Sequence, residues 1–346
     1  MTASERTAVV LFNLGGPDRP EAVEPFLRNL FSDPAILRVP GLLRRLLARL
    51  IARRRAPVAR EIYAALGGGS PILANTEAQA AALDQSLDAL GERRLFIAMR
   101  YWHPRAAETA RTVAAWRPTR LVLLPLYPQF STTTSASSLA EWDAAAGAAG
   151  LAGVPAHRLC CYPREPGLIA ALAAAIRPLL QQAAAQGRPR LLLSAHGLPK
   201  QIVAAGDPYQ WQVEQTAAAL QAALGAEDLV ICYQSRVGPL QWIGPATADE
   251  VERAGRERVP VVLAPIAFVS EHSETLVELD VELRHLAERA GVPLYLRAPT
   301  VSLAAPFIAG LARLVQDALA RAPGLAPDGG RRLCPAGFAG CPCNGE

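Results

Sequence analysis

Residues 120–134 read RLVLLPLYPQFSTTT, a short apolar run rich in Leu and Val that ends in a proline- and hydroxyl-rich loop. Residues 259–275, VPVVLAPIAFVSEHSET, follow the same plan, with VLAPIA standing where the first stretch has VLLPLY. Working outward, each is preceded by two further apolar runs ending in loops. AVVLFNLGGP (8–17) and RLFIAMRYWHP (94–104) lead to the first; RLLLSAHGLP (190–199) and DLVICYQSRVGP (228–239) lead to the second. Ala/Leu-rich helical stretches separate the runs, which is the pattern of βαβ units and a parallel sheet. The recurrence in order predicts two homologous doubly wound halves.

The expected fold is therefore α/β, with two similar Rossmann-like halves, each a doubly wound parallel sheet, facing across a cleft. Ligands of such sheets bind beyond the carboxyl ends of the strands, where these loops lie. Domain limits are expected at 1–150 plus about 303–325 for the first half, 151–302 for the second, and 326–346 for a cysteine-rich tail. Between its first two loops the first half carries about 45 residues more than the second, which fits an insertion over about 18–65. Its middle, VPGLLRRLLARLIARRRA (39–56), places Leu42, Leu43, Leu46, Leu47, Leu50 and Ile51 at helical spacing, with Arg44, Arg45, Arg49 and Arg53 between them. Two readings stay open: a helix packed on the core with a solvated Arg face, or an amphipathic lip over 41–55 that touches an anionic membrane surface or an apolar carboxylated ligand.

Composition agrees with a globular chain. Of 346 residues, 51% are hydrophobic and 19% charged, which excludes disorder. The formal charge of +4 is mild, aromatics are only 6%, and no basic–aromatic ladder appears, so no nucleic-acid partner is expected. MTASERTAVVLFN reads as a first strand and not as a signal peptide, and no long uncharged apolar run is visible. A cytoplasmic protein is expected, with the lip offering peripheral contact at the inner face of the membrane. LFNLGGP lacks G-x-G-x-x-G, and GGGSPI (67–72) lacks the P-loop Lys, so dinucleotide and ATP sites are disfavoured.

Chemistry concentrates in SAHGLP (194–199) and FVSEHSETLVELDVE (268–282). His196 follows an apolar strand and suits an imidazole presented to a cleft as proton acceptor or metal ligand. In the second segment Ser270 is expected to cap a helix carrying Glu271, His272, Glu274, Glu278 and Glu282. Glu274, Glu278 and Glu282 recur every four residues and form one acidic stripe, a plausible track for a divalent cation. A solvated surface helix balanced by Arg284 is the plainer alternative.

Taken together, NLGGP, YAALGGGSPI, RYWHP, LYPQFSTTTSASS, SAHGLP, GDPY, CYQSRVGPLQWIGP and PIAFVSEHSETLVELD resemble ferrochelatases, in the family's order and over nearly the whole chain. The resemblance implies a lyase that inserts ferrous iron, its substrate metal, into protoporphyrin IX to make protohaem. It places the essential histidine on His196 and its acidic partner on Glu274, with Glu271, Glu278 and Glu282 along an iron path. It implies porphyrin contacts at Arg55, Tyr63, Ser70, Arg100, Tyr101, Trp242 and Phe268. Val58 stands where some members carry a basic residue, and Leu14 where side chains vary. His103 is as well read as structural as pocket-lining. The rival readings are a chelatase for coproporphyrin or cobalt, and a carrier without catalysis.

The chain ends RRLCPAGFAGCPCNGE, with Cys334, Cys341 and Cys343 among Pro and Gly. Such spacing suits zinc or an iron–sulfur cluster, either of which needs a fourth ligand. The resemblance favours a two-iron two-sulfur cluster; relatives with such clusters suggest a homodimer with the tail near its interface, but the family also holds monomers, so both oligomeric states stay open. Thr132 occupies one place the family uses for the fourth cysteine. Cys160 is the expected ligand and Cys161 its alternate, while Cys232, at a strand end, is expected to be buried.

Overall fold

The structure, a computed structural model, describes residues 5–37, 39–236 and 240–343. It divides into two compact units, 1–161 with 312–331, and 162–311 with 332–346.

The first unit holds a parallel sheet of β1 (Thr7–Asn13), β2 (Arg93–Met99), β3 (Arg120–Pro125), β4 (Ala156–Leu159) and a short β9 (Gly324–Ala326). The second holds β5 (Arg190–His196), β6 (Leu229–Gln234), β7 (Val261–Pro265) and β8 (Tyr295–Arg297), also parallel. The orders are β2-β1-β3-β4-β9 and β6-β5-β7-β8. The second repeats the first strand for strand, apart from β9. In both, the chain leaves the first strand to one side and then crosses to the other, so consecutive connections diverge between β1 and β3 and between β5 and β7. That divergence opens a crevice at the carboxyl ends. Asn13 and His196 close the two equivalent strands.

Parallel strands covered on both faces read as unbroken apolar runs, and these do. Every residue of β1 is buried, as are Leu191, Leu192 and Leu193 of β5. Phe12, Leu123, Leu139 and Trp142 knit one core in the first unit, and Leu192, Leu263, Leu279 and Leu283 one in the second. Helix Pro166–Ala184 is long and apolar enough to span a bilayer by length and composition. Leu168, Ile169, Leu172 and Ile176 are nonetheless buried within the second unit.

Helix Gly41–Ala64 departs from the simple core-packing expectation. Its buried residues are Ala48, Ala52, Ala56 and Tyr63, of which Ala52, Ala56 and Tyr63 pack with Phe26 and Leu27 of helix Val23–Phe31. Small side chains let the two helices approach, and the leucine stripe turns outward. Leu42, Leu46 and Leu50 are 79%, 69% and 64% exposed, beside exposed Arg45, Arg49 and Arg53.

Candidate active site

His196 is the last residue of β5, and the segment carrying Glu274 follows β7, the strand paired with β5. Both therefore arise at the switch point of the second sheet. His196 Nδ1 lies 2.8 Å from Glu274 Oε2. A carboxylate at Nδ1 holds the hydrogen there and leaves the Nε2 lone pair for a proton or a metal. The imidazole is 40% exposed and Glu274 25%.

The electrostatics of this segment are graded. Burial would raise the pKa of Glu274, but the charge and hydrogen bond of His196, with help from His272 and Ser235, hold it down to about 2. Burial opposes a charge on His196, yet Glu274 and Glu278 outweigh it and raise its pKa. His272, 5% exposed, is pushed the other way by burial. Burial also raises the pKa of Glu278, with Glu274 adding to the rise and Ser235 opposing it. Two carboxylates four residues apart are thus driven in opposite directions, one toward permanent ionisation and one toward holding a proton.

Ser235 fixes Glu278. Its backbone N–H donates to Oε1 at 2.7 Å and its hydroxyl to the other oxygen. The same hydroxyl reaches Glu274 Oε2 at 3.3 Å. These bonds hold Ser235 at φ 60°, a left-handed backbone rare for a side-chain-bearing residue. Gln234 is oriented by buried Ser194, whose hydroxyl donates to Gln234 Oε1 at 2.8 Å. The Gln234 amide then donates to Glu278 at 3.4 Å. Gly197 admits this loop: a Cβ there would stand 2.9 Å from the Gln234 carbonyl and 3.3 Å from the Trp242 ring. Phe268 sits edge-on to His196, ring centroids 6.4 Å apart, and 4.6 Å from His272.

Several expectations change in detail. The acidic segment is not an α-helix capped by Ser270; Glu274–Glu282 is π-helical, its cap position is Ser273, and that side chain makes no capping bond. Within the stripe Glu282 is exposed. Glu271 turns away from the stripe to Arg297, whose Nη1 donates to it at 2.6 Å. Trp242 borders a cavity of about 660 Å³ with Lys200, Gln210, Arg236 and Asp249, which His196 and Glu274 do not line. The VGP stretch of 237–239 lies outside the described residues.

In the first unit, Arg100 is enclosed in polar partners. It donates to Asp33 at 2.7 Å and Ser137 at 2.7 Å, and pairs with Glu141 at 2.9 Å. Tyr101, 1% exposed, donates its hydroxyl to the same Asp33. Asp33 was not legible as a functional residue, because nothing in FSDP signals a partner 67 residues away. Arg55 is exposed, its guanidinium 5.8 Å from the Phe31 ring centroid. Tyr63 is buried, and the Ser70 N–H donates to the Pro17 carbonyl at 2.7 Å. Val58 is exposed, Leu14 packs beside Tyr63 and Tyr101, and His103 pairs with Glu108 at 2.8 Å on the surface.

The cysteines are all free thiols. Cys334 and Cys341 are buried and Cys343 partly exposed. The tail packs on helix Tyr209–Leu224: Gln212 donates to Cys334 Sγ at 3.2 Å, Phe338 meets Trp211, and the Gly340 N–H donates to the Gly206 carbonyl. Cys160 Sγ lies 3.4 Å from Cys161 Sγ. Among the described residues no group of three or more His, Cys, Asp or Glu is arranged to hold a metal ion. The expected set of Cys160, Cys334, Cys341 and Cys343 is thus not assembled as a ligand cage among the described residues. Cys232 is fully buried as expected, though it lies inside β6 and not at its end, and burial pushes its thiol up to about 12.

A family model described as Ferrochelatase matches residues 6–319. The chain is 53% identical over 345 residues to a ferrochelatase of Caulobacter vibrioides (strain NA1000 / CB15N), covering 98% of each. It is 54% identical over 342 residues to a ferrochelatase of Phenylobacterium zucineum (strain HLK1), again covering 98% of each. Among solved structures, the sirohydrochlorin chelatase of Bacillus subtilis subspecies spizizenii in complex with cobalt shares the fold. Its TM-score is 0.54 at 10% identity, over 91% of this chain and 95% of that one.

Proposed function

The chain belongs to the ferrochelatase family, and from that premise we propose how it inserts ferrous iron into protoporphyrin IX, forming protohaem and releasing two protons. The observation that carries the assignment of roles is the His196–Glu274 pair at the end of β5. Metallation requires two pyrrole N–H protons to leave as the metal enters. His196 accepts a proton at Nε2, and Glu274 balances the imidazolium so formed without itself taking the proton. Glu278, whose pKa is raised, is the next acceptor, and exposed Glu282 connects the stripe to solvent. The same oxygens offer ferrous iron hard ligands on its way to the macrocycle. Phe268 and Trp242 supply aromatic faces for the porphyrin. Of the two arginines among the expected porphyrin contacts, Arg55 presents an exposed guanidinium to a porphyrin carboxylate, while Arg100 is committed to Asp33 and Glu141.

Anaerobic metallation of a porphyrin panel tests the reading. Ferrous turnover of protoporphyrin IX above that of coproporphyrin supports it. Tight porphyrin binding without metallation points to a carrier and overturns it.

Two finer readings accompany it. The exposed Leu42, Leu46 and Leu50 beside Arg45 and Arg49 support a cytoplasmic enzyme that touches an anionic membrane surface through 41–55. The three tail thiols support a two-iron two-sulfur cluster; since they are not assembled for it here, the cluster enters no step of the reaction. Iron and acid-labile sulfide content of the protein purified without oxygen tests its presence.

A further inference from the structure

The segment that carries Glu274 has an unusual geometry. Nine consecutive residues, Glu274–Glu282, are π-helical, whereas π geometry is ordinarily confined to single-turn bulges. A run of that length needs support from outside itself. The support comes from β8 and the turn after it.

Arg297 ends β8, where it lies beside Leu263 of β7. Its side chain is 9% exposed and forks between two carboxylates. Nη1 donates to Glu271 Oε1 at 2.6 Å, and Nη2 donates to Asp280 Oδ2. Glu271 precedes the π-helix and Asp280 lies within it, so the two pairs bracket His272, Glu274 and Glu278. Further ties run the same way. The Thr300 N–H donates to Glu271 Oε1 at 2.9 Å, and the Tyr295 hydroxyl donates to the Leu279 carbonyl at 2.7 Å. Arg284 donates to the Asp280 carbonyl at 3.0 Å and to the Tyr295 carbonyl at 3.2 Å.

We propose that Arg297 is a positioning residue for the reacting pair, clamping the π-helical segment at Glu271 and Asp280, and that Glu271 serves this clamp and not the passage of iron. The inference rests on the reading of His196 and Glu274 as that pair. His196 and Ser235 belong to β5 and to the end of β6, while Glu274 and Glu278 belong to the clamped segment. Their register is therefore only as good as the clamp. A planar fork is suited to hold two carboxylates at fixed separation, which an ammonium cannot reproduce in full. Displacing a reacting group by about 1 Å costs on the order of a hundredfold in rate.

Steady-state metallation separates this from a merely structural role. Arg297→Ala is expected to lower kcat at least tenfold while KM for porphyrin stays within twofold. Arg297→Lys should recover part of the loss. Glu271→Gln should lower kcat with KM for ferrous iron within twofold. Because Arg297→Ala leaves Glu271 without its guanidinium while Asp280 keeps Arg284, the variant Arg297→Met with Glu271→Gln strands no carboxylate and decides the matter if the first fails to fold; it too should show the kcat loss. A folded Arg297 variant with wild-type kcat overturns the clamp, as does Glu271→Gln with a tenfold higher KM for iron and unchanged kcat. His196→Ala runs in parallel: activity there would sink the underlying reading, whereas its inactivity beside an unaffected Arg297 variant would sink the clamp alone.

Discussion

Replacing His196 with Ala should change how stability responds to acid, through Glu274. In the wild type the Glu274 carboxyl lies at about 2 instead of the ordinary 4.5, chiefly because the charge and hydrogen bond of His196 overcome burial. At about 1.4 kcal/mol for each tenfold, that displacement corresponds to about 3 kcal/mol of stability. The sign follows from linkage. A carboxyl with a depressed folded-state pKa contributes fully above its unfolded value and loses the contribution as pH falls toward the folded one. About 2 kcal/mol of it is gone by pH 3. Without His196, burial is the dominant influence and Glu274 no longer binds protons less readily than in the unfolded chain. The stability gap between wild type and His196→Ala should therefore narrow by about 2 kcal/mol between pH 5.5 and pH 3. Carboxylates remote from His196 cancel in the difference, while Glu278, whose pKa His196 also lowers, rises further in the variant and narrows the gap in the same direction. Urea unfolding followed by tryptophan fluorescence at the two pH values measures it. A gap constant to within about 0.5 kcal/mol would refute the coupling and, with it, the electrostatic basis of the proposed proton acceptor.

Asp33→Asn should destabilise the first unit by about 3–5 kcal/mol in urea, because it strips the buried partner of Arg100. Gly197→Ala should cost about 1–3 kcal/mol and lower kcat, since its Cβ would press on the Gln234 carbonyl and Trp242; thermal melts and turnover read both. Leu42→Ser with Leu46→Ser and Leu50→Ser should leave stability within about 0.5 kcal/mol, these side chains being exposed, yet weaken sedimentation with anionic vesicles. Unchanged vesicle binding would remove the lip from the account.

Six of the strands were legible because buried parallel strands leave continuous apolar runs that loops interrupt sharply, and His196 was legible because it ends one of them; the short β4, β8 and β9 and the order of strands in each sheet were not. The face of helix Gly41–Ala64 was not. A leucine stripe looks like a buried face until a neighbour is known, and helix Val23–Phe31 prefers the close approach that Ala52 and Ala56 allow. The π geometry was equally invisible, since residues four apart suggest an ordinary helix and the wider winding is held by Tyr295 and Arg297 of another strand. For the same reason Glu271 read as one more carboxylate of the stripe: the guanidinium that claims it comes 26 residues later. Ser235 and Gln234 lay inside the CYQSR motif, but only the fold shows that they address Glu278.

The most direct test of the central claim is anaerobic turnover of protoporphyrin IX with ferrous iron by the wild-type protein and by His196→Ala, with porphyrin binding measured on both by fluorescence. The account predicts that the variant binds the porphyrin and stays folded while its kcat falls by about a hundredfold or more, as expected for loss of a proton acceptor. Turnover by the variant within a few fold of wild type would contradict it.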